Sequence, residues 1–170
     1  SYTVGILISS ATNPFAASLM GLIEHELERL GYAAVFVEYQ GDAEFLREKV
    51  DFLQMHQVDG LVVVLSELEP ARVQFLRETD VPLVLIDNPL VGPGADSIVV
   101  DNCEAVRKAV GALLDAGHRR VGLVAMPQIS HVGTERSRGW RLAYEERGLA
   151  IDEALVRCCE SVKDAAARAT

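Results

Sequence analysis

The sequence predicts an α/β fold with a doubly wound parallel sheet. Apolar runs rich in Val, Ile and Leu alternate with segments whose apolar residues recur at helical spacing, which indicates successive βα units. Most runs are continuous rather than alternating in polarity, as expected for strands covered by helices on both faces. The predicted strands are Thr3–Ser9, Ala33–Glu38, Gly60–Leu65, Leu83–Asp87, Ile98–Asp101 and Val121–Met126, with a possible short strand at Leu155–Cys159.

The first predicted helix follows the first strand. Asn13 is a typical N-cap, Pro14 suits the first turn, and Gly31 ends the helix. One apolar stripe runs along it and is made of Phe15, Leu19, Ile23, Leu27 and Leu30.

The second predicted helix, residues 43–57, has an apolar face too wide for one core. Leu46, Val50 and Leu53 lie on one side, and Phe45 and Phe52 lie on another. Two interpretations remain open, namely deeper burial within the monomer or a surface for self-association. Further helices are predicted over residues 69–79, 103–116, 134–147 and 161–169.

Composition excludes several classes of protein. The 170 residues are 49% hydrophobic and 24% charged, which is unlike a disordered chain. The net charge of −9 gives no surface for non-specific DNA binding, and the longest aliphatic run, Leu61–Leu65, is far shorter than a membrane span. Without a signal peptide, and with three cysteines that have no metal spacing, the chain is expected to be cytoplasmic with reduced thiols.

Candidate ligand-binding residues follow the predicted strands, because ligands of open parallel sheets bind beyond the carboxyl ends of the strands. These residues are mostly hydroxyls, carboxamides and carboxylates, with Phe15 and Trp140 as nearby aromatics. Such a set suits a polyhydroxylated or heterocyclic small molecule. The segments are 9–15, 66–67, 87–88, 101–102 and 127–136.

No enzyme site is predicted. The first strand is followed by Ser9 and Ser10 rather than by a glycine-rich dinucleotide or phosphate loop, and no nucleophile elbow is present. The four histidines share no ligand spacing, so neither a metal nor a cofactor is expected. A flavodoxin-like enzyme remains an alternative that a bound flavin would reveal.

Short motifs in register across nearly the whole chain resemble the effector-binding region of lactose-repressor-type (LacI/GalR) bacterial transcription regulators. The motifs lie at residues 4–8 with 13–15, 58–61, 81–87, 99–102, 117–121 and 136–140, the last being Arg-Ser-Arg-Gly-Trp. The resemblance implies a type I periplasmic-binding-protein fold with two Rossmann-like lobes and a sugar-like or nucleobase-like effector. It also implies homodimerisation and operator DNA bound by an N-terminal helix-turn-helix absent from this sequence.

The same resemblance implies the effector-binding residues. Asn13, Phe15 and Ala16 match the first wall of the cleft, although Phe15 also fits the helix stripe. Ser66 and Asp87 match strand ends that face the effector, whereas Asp101 also fits a helix cap. Arg136 matches the arginine whose guanidinium would hold effector hydroxyls or a carboxylate. Four residues earlier, Val132 replaces the usual Ser or Thr, which implies a less polar or differently oriented ligand.

The predicted lobes are residues 1–119 and 120–170, and the second is expected to be incomplete, because relatives continue with further βα units. A periplasmic sugar-binding protein of a transport system is the alternative function. The motifs at residues 117–120 and 136–140 favour the regulator.

Overall fold

The computed structural model describes residues 2–39, 43–64, 70–89, 95–125 and 130–158. The chain forms two compact units, Ser1–Val99 and Val100–Thr170. The division falls before the helix Asn102–Asp115, which the sequence analysis placed in the first lobe. The reason is that this helix packs against the helix His131–Glu145 within the second unit.

The first unit contains a parallel five-stranded sheet, which confirms the predicted fold class. The strand order is β2-β1-β3-β4-β5, and in register Gly5 of β1 lies between Val35 of β2 and Leu61 of β3. The strands are β1 Thr3–Ile8, β2 Ala33–Glu38, β3 Gly60–Val64, β4 Leu83–Ile86 and β5 Asp96–Ile98.

Helices cover both faces of this sheet. On one face, Ile6 and Ile8 of β1 and Val64 of β3 pack with Leu19, Ile23 and Leu27 of α1, Pro14–Arg29. On the other face, Leu7 packs in a core with residues of α2, Ala43–Met55. A Cβ on Gly5 would approach Leu53 Cδ1 to 2.8 Å, so glycine lets α2 lie close to the sheet.

The helix ends follow the predicted capping chemistry. The Asn13 side chain accepts a hydrogen bond from the Phe15 N–H, Pro14 opens α1, and Gly31 follows the helix at φ +83°. The centre of the α1 stripe, Leu19, Ile23 and Leu27, is half-buried against the sheet, but the ends of the stripe differ from the prediction. Phe15 and Leu30 are 50% and 62% exposed.

The two sides of α2 also differ in burial. Leu46, Val50 and Leu53 are buried, whereas Phe45 and Phe52 are 40% and 44% exposed. Deeper burial within this unit is therefore not the reason for the wide apolar face.

The segment after β3 and strand β5 also differ from their predictions. Residues Pro70–Glu78 form a 3₁₀ helix instead of an α-helix. Strand β5 ends at Ile98, since Asp101 is used as the N-cap of the next helix and accepts a 2.9 Å hydrogen bond from the Glu104 N–H.

The second unit joins two helices to a short parallel sheet. The strands are β6, Leu123–Ala125, and β7, Val156–Cys158, which confirms the possible seventh strand. Helices α3, Asn102–Asp115, and α4, His131–Glu145, pack in a core that contains Val110, Leu114, Trp140, Ala143 and Tyr144. The predicted helix over residues 161–169 lies outside the described residues.

Candidate functional site

The candidate site of the first unit is the C-terminal edge of its parallel sheet. The chain passes from β1 outward to β2 and then returns to β3 on the opposite side, so the strand order reverses between β1 and β3. In open parallel sheets the ligand crevice lies beyond the strand ends at such a reversal. The polar residues that follow β1 and β4 therefore belong to one edge.

The loop after β1 brings together three predicted residues, Asn13, Phe15 and Ala16. Asn13 Oδ1 accepts a 3.0 Å hydrogen bond from the Phe15 N–H, and the Ser10 and Thr12 hydroxyls bond to each other at 2.8 Å. Half of Phe15 is exposed and it does not join the core formed with Leu19, which leaves its ring available to a ligand. Ala16 is buried at 3% exposure.

The end of β4 supplies a second part of this edge. Asp87 is buried and has φ +64°, a left-handed conformation that few non-glycine residues adopt, and its N–H donates to the Ile98 carbonyl oxygen at 3.0 Å. Such backbone strain is concentrated at functional sites. The predicted residue Ser66, after β3, lies outside the described residues.

Asn88 lies in the predicted segment 87–88, but the effector-binding residues implied by the resemblance did not include it. It is 0% exposed, and among the described residues neither its Oδ1 nor its Nδ2 has a hydrogen-bond partner. Buried carboxamides are normally bonded, so this one is unusual. The available signal was an amide residue immediately after a buried strand.

Arg136 lies in the second unit on α4. Its Nε–H donates a 2.8 Å hydrogen bond to Oδ1 of Asn102, the first residue of α3. The Ser130 side chain caps α4 and accepts a hydrogen bond from the Gly133 N–H. Val132, four residues before Arg136, is buried at 3% exposure.

Trp140 is a core residue and not an aromatic of the site. It is fully buried, its Nε1–H donates to the Val121 carbonyl oxygen at 2.8 Å, and its ring centroid lies 4.9 Å from that of Tyr144. Trp140 packs with Val110 and Leu114 of α3 in the core of the second unit, which explains the difference from the sequence prediction.

Ion pairs fasten α3 to α4. The Arg107 guanidinium bonds to Glu104 and also to Glu146 at the end of α4, while Arg147 bonds to Asp115 through two nitrogens. Hydrogen bonding from Arg107 lowers the pKa of Glu104 to about 2. The bond from Arg147 likewise lowers the pKa of Asp115.

Charge is distributed unevenly between the units. Residues 1–99 contain five Lys and Arg against fifteen Asp and Glu, whereas residues 100–170 contain eleven against ten.

Among the described residues, no group of three or more His, Cys, Asp and Glu side chains is placed to hold a metal ion. No helix in the described part of the chain has the length and apolarity needed to cross a membrane.

Comparison with known proteins agrees with this architecture. Residues 1–170 match the family described as periplasmic binding proteins and sugar binding domain of LacI family. The chain belongs to the LacI family. The predicted resemblance to its effector-binding region is thereby confirmed.

Relatives of this LacI-family chain are transcription regulators. It is 30% identical over 152 residues to the ribose operon repressor of Haemophilus influenzae, covering 88% of this chain and 45% of the repressor. It is 27% identical over 169 residues to the HTH-type transcriptional repressor PurR of Photobacterium profundum, covering 96% of this chain and 51% of that repressor.

The structure of the transcriptional regulator CelR in complex with cellobiose is similar to this chain. The TM-score is 0.83 and the sequence identity 26%, over 98% of this chain and 53% of CelR. The chain thus spans about half the length of the LacI-family relatives it matches.

Proposed function

We propose that this chain senses a small-molecule effector in a bacterial DNA-binding transcription regulator. The observation that carries the proposal is the buried Asn88 carboxamide, whose two polar atoms lack partners among the described residues at the edge where parallel sheets bind ligands. The LacI-family match and the repressors among the relatives support a regulator rather than a periplasmic transport protein.

The chemistry of this edge indicates a polar ligand. A carboxamide offers one acceptor oxygen and two donor hydrogens, which suits adjacent sugar hydroxyls or the amide edge of a nucleobase. Exposed Phe15 would cover an apolar ring face of such a ligand. The ribose operon repressor and the CelR–cellobiose complex among the matches make a sugar the first candidate.

The predicted residues keep their roles in this proposal. Effector contacts would come from Asn13, Phe15, Ala16, Ser66, Asp87 and Arg136, with Asn88 added. The Arg136 guanidinium, whose Nε–H bonds to Asn102, would hold hydroxyls or a carboxylate of the effector.

The proposed regulator would be a cytoplasmic homodimer without enzyme activity. Binding of the effector would change its affinity for DNA. The chain itself has a net charge of −9 and so lacks the positive surface that neutralises DNA phosphates. Operator DNA would therefore be bound by a helix-turn-helix outside this sequence. By linkage, an effector that changes DNA affinity must have its own affinity changed by DNA to the same extent. The exposed Phe45 and Phe52 on α2 would lie in the dimer interface.

The test is a ligand titration of the full-length protein by calorimetry. The probes are D-ribose, cellobiose and hypoxanthine, which separate pentose, disaccharide and nucleobase classes. We expect saturable binding of a sugar, with affinity reduced at least tenfold in Asn88→Leu and in Arg136→Ala. Arg138→Ala is the matched control, since Arg138 is exposed on the same helix and bonds locally to Glu135.

Capture and sequencing of genomic DNA fragments, with and without the bound sugar, then tests regulation. A sugar-dependent change in the captured fragments supports the proposal. Absence of specific DNA capture by the full-length protein under both conditions would refute the regulator role. Equal ligand affinity in wild type, Asn88→Leu and Arg136→Ala would refute the proposed site.

A further inference from the structure

Asn102 has a side chain with both polar ends bonded. Its Oδ1 accepts the 2.8 Å hydrogen bond from the Arg136 Nε–H, and its Nδ2 donates to the Val100 carbonyl oxygen at 3.1 Å. Arginine can only donate and a carbonyl can only accept, so these partners determine the orientation of the amide. Asn102 is 6% exposed, whereas Arg136 is exposed. A buried, oriented acceptor thus holds an exposed guanidinium.

The Asn102 side chain does not cap helix α3. That role belongs to Asp101, whose Oδ1 accepts from the Glu104 N–H at 2.9 Å. The Asn102 N–H also donates to the Val100 carbonyl oxygen at 2.7 Å, a backbone bond that survives replacement of the side chain. The start of helix α3 therefore does not require the hydrogen bond that Asn102 Oδ1 accepts from the Arg136 Nε–H.

Gly139 allows α4 to lie close enough for this bond. A Cβ at residue 139 would overlap the Cys103 carbonyl oxygen and lie 3.1 Å from the backbone nitrogen of Arg107. Arg136 lies one helical turn before Gly139, and Asn102 directly precedes Cys103, so a close contact of the two helices lies next to the bonded pair.

We propose that Asn102 is a positioning residue that orients the Arg136 guanidinium for the effector. This inference rests on the proposed function, because it assigns Arg136 to the ligand. A free arginine side chain populates many rotamers and loses that freedom when it binds a ligand. A side chain already held at Nε loses less of this freedom, so its guanidinium binds hydroxyls or a carboxylate more tightly.

The first test measures solvent exchange of the Arg136 Nε–H by nitrogen-15 NMR, and requires no ligand. The signal is assigned by its loss in Arg136→Lys. We expect exchange at least fivefold faster in Asn102→Ala, and nearly unchanged in Asn102→Asp, which retains an acceptor oxygen. The Arg138 Nε–H, bonded to Glu135 on the same helix, is the internal control and should keep its rate.

Two exchange results would overturn the proposal. An unchanged Arg136 rate in Asn102→Ala would show that Asn102 does not hold the guanidinium. Equal acceleration of the Arg136 and Arg138 signals would assign Asn102 to the general stability of the second unit.

The second test measures the affinity of the full-length protein for D-ribose, and for cellobiose and hypoxanthine in parallel. Asn102→Ala should weaken binding about tenfold, Asn102→Asp should restore it, and Asn102→Ala should have no further effect in an Arg136→Ala background. Unchanged affinity in Asn102→Ala would overturn the role in ligand binding. If wild type binds none of the probes, the proposed ligand class fails, and the exchange rates alone decide whether Asn102 positions Arg136.

Discussion

The phenol of Tyr39 donates a 2.7 Å hydrogen bond to the carbonyl oxygen of Val64, the last residue of β3. Tyr39 follows β2, and its N–H donates to the Ile8 carbonyl oxygen at the end of β1. One fully buried residue thereby satisfies carbonyl groups on two strands at the edge proposed to bind the effector.

Removal of the Tyr39 hydroxyl should destabilise the first unit. Tyr39→Phe leaves the Val64 carbonyl without this donor, and we expect unfolding free energy to fall by about 1–3 kcal/mol. Urea unfolding measures the change. Tyr2→Phe is the control, because Tyr2 is 71% exposed, and it should change stability little. Equal stability of wild type and Tyr39→Phe would contradict the importance of the bond.

Gly139→Ala should destabilise the second unit because its Cβ would overlap the backbone of α3 at Cys103. We expect a loss of about 1–3 kcal/mol, as found for overpacked sites. Gly21→Ala, in α1, is the matched control, since no heavy atom lies within 4 Å of the added Cβ. That variant should gain about 0.5–1 kcal/mol from helix propensity. Thermal unfolding of the two variants in parallel compares these opposite effects.

The ion pair between Glu104 and Arg107 should make the second unit sensitive to acid. The folded-state pKa of Glu104 is lowered from its ordinary 4.5 to about 2, chiefly by the Arg107 hydrogen bond. Its stabilising effect is therefore present above about pH 4.5 and is lost as the pH falls toward 2. NMR titration of the Glu104 carboxyl should show the low pKa in wild type and a value nearer the ordinary one in Arg107→Gln.

Arg141→Gln is the control for this titration, because Arg141 pairs with Glu153 and not with Glu104. It should leave the Glu104 pKa unchanged. A Glu104 that titrates at its ordinary pKa in wild type would mean that the ion pair does not form in solution.

The exposed aromatic residues of α2 provide a test of self-association. Phe52 is 44% exposed, and its ring centroid lies 4.2 Å from the ring centroid of His56. Phe52→Glu should shift the protein from dimer to monomer in sedimentation velocity, because a charge would be buried without a partner. Asp51→Asn, an exposed change about 100° around the same helix from Phe52, should keep the dimer. A monomeric wild type would eliminate this surface as the dimer interface.

Sequence patterns predicted the elements whose signals are local. The apolar runs gave β2 its bounds, and the Asn13 cap and Gly31 stop gave those of α1. The 3₁₀ helix Pro70–Glu78 was predicted as an α-helix because residues three apart share a face in both forms.

Contacts between distant residues could not be predicted in the same way. Asn102 and Arg136 are 34 positions apart, and their hydrogen bond depends on how closely α3 and α4 pack. The same packing buries Trp140, which its place near the strand-end segments had suggested as a ligand aromatic. An asparagine after a strand is ordinary in sequence. Asn88 is recognised as unusual only from the structure, in which its buried Oδ1 and Nδ2 have no partner among the described residues.

The separate cores of the two units have a consequence for recombination. Within the described residues, the clusters around Leu7 and Ile6 belong to the first unit and the cluster around Trp140 to the second, with no shared member. A gene crossover between Val99 and Val100 would exchange a five-stranded sheet without cutting through either packed core. Chimaeras joined at this point with another family member are thus the natural route to a sensor with altered effector preference.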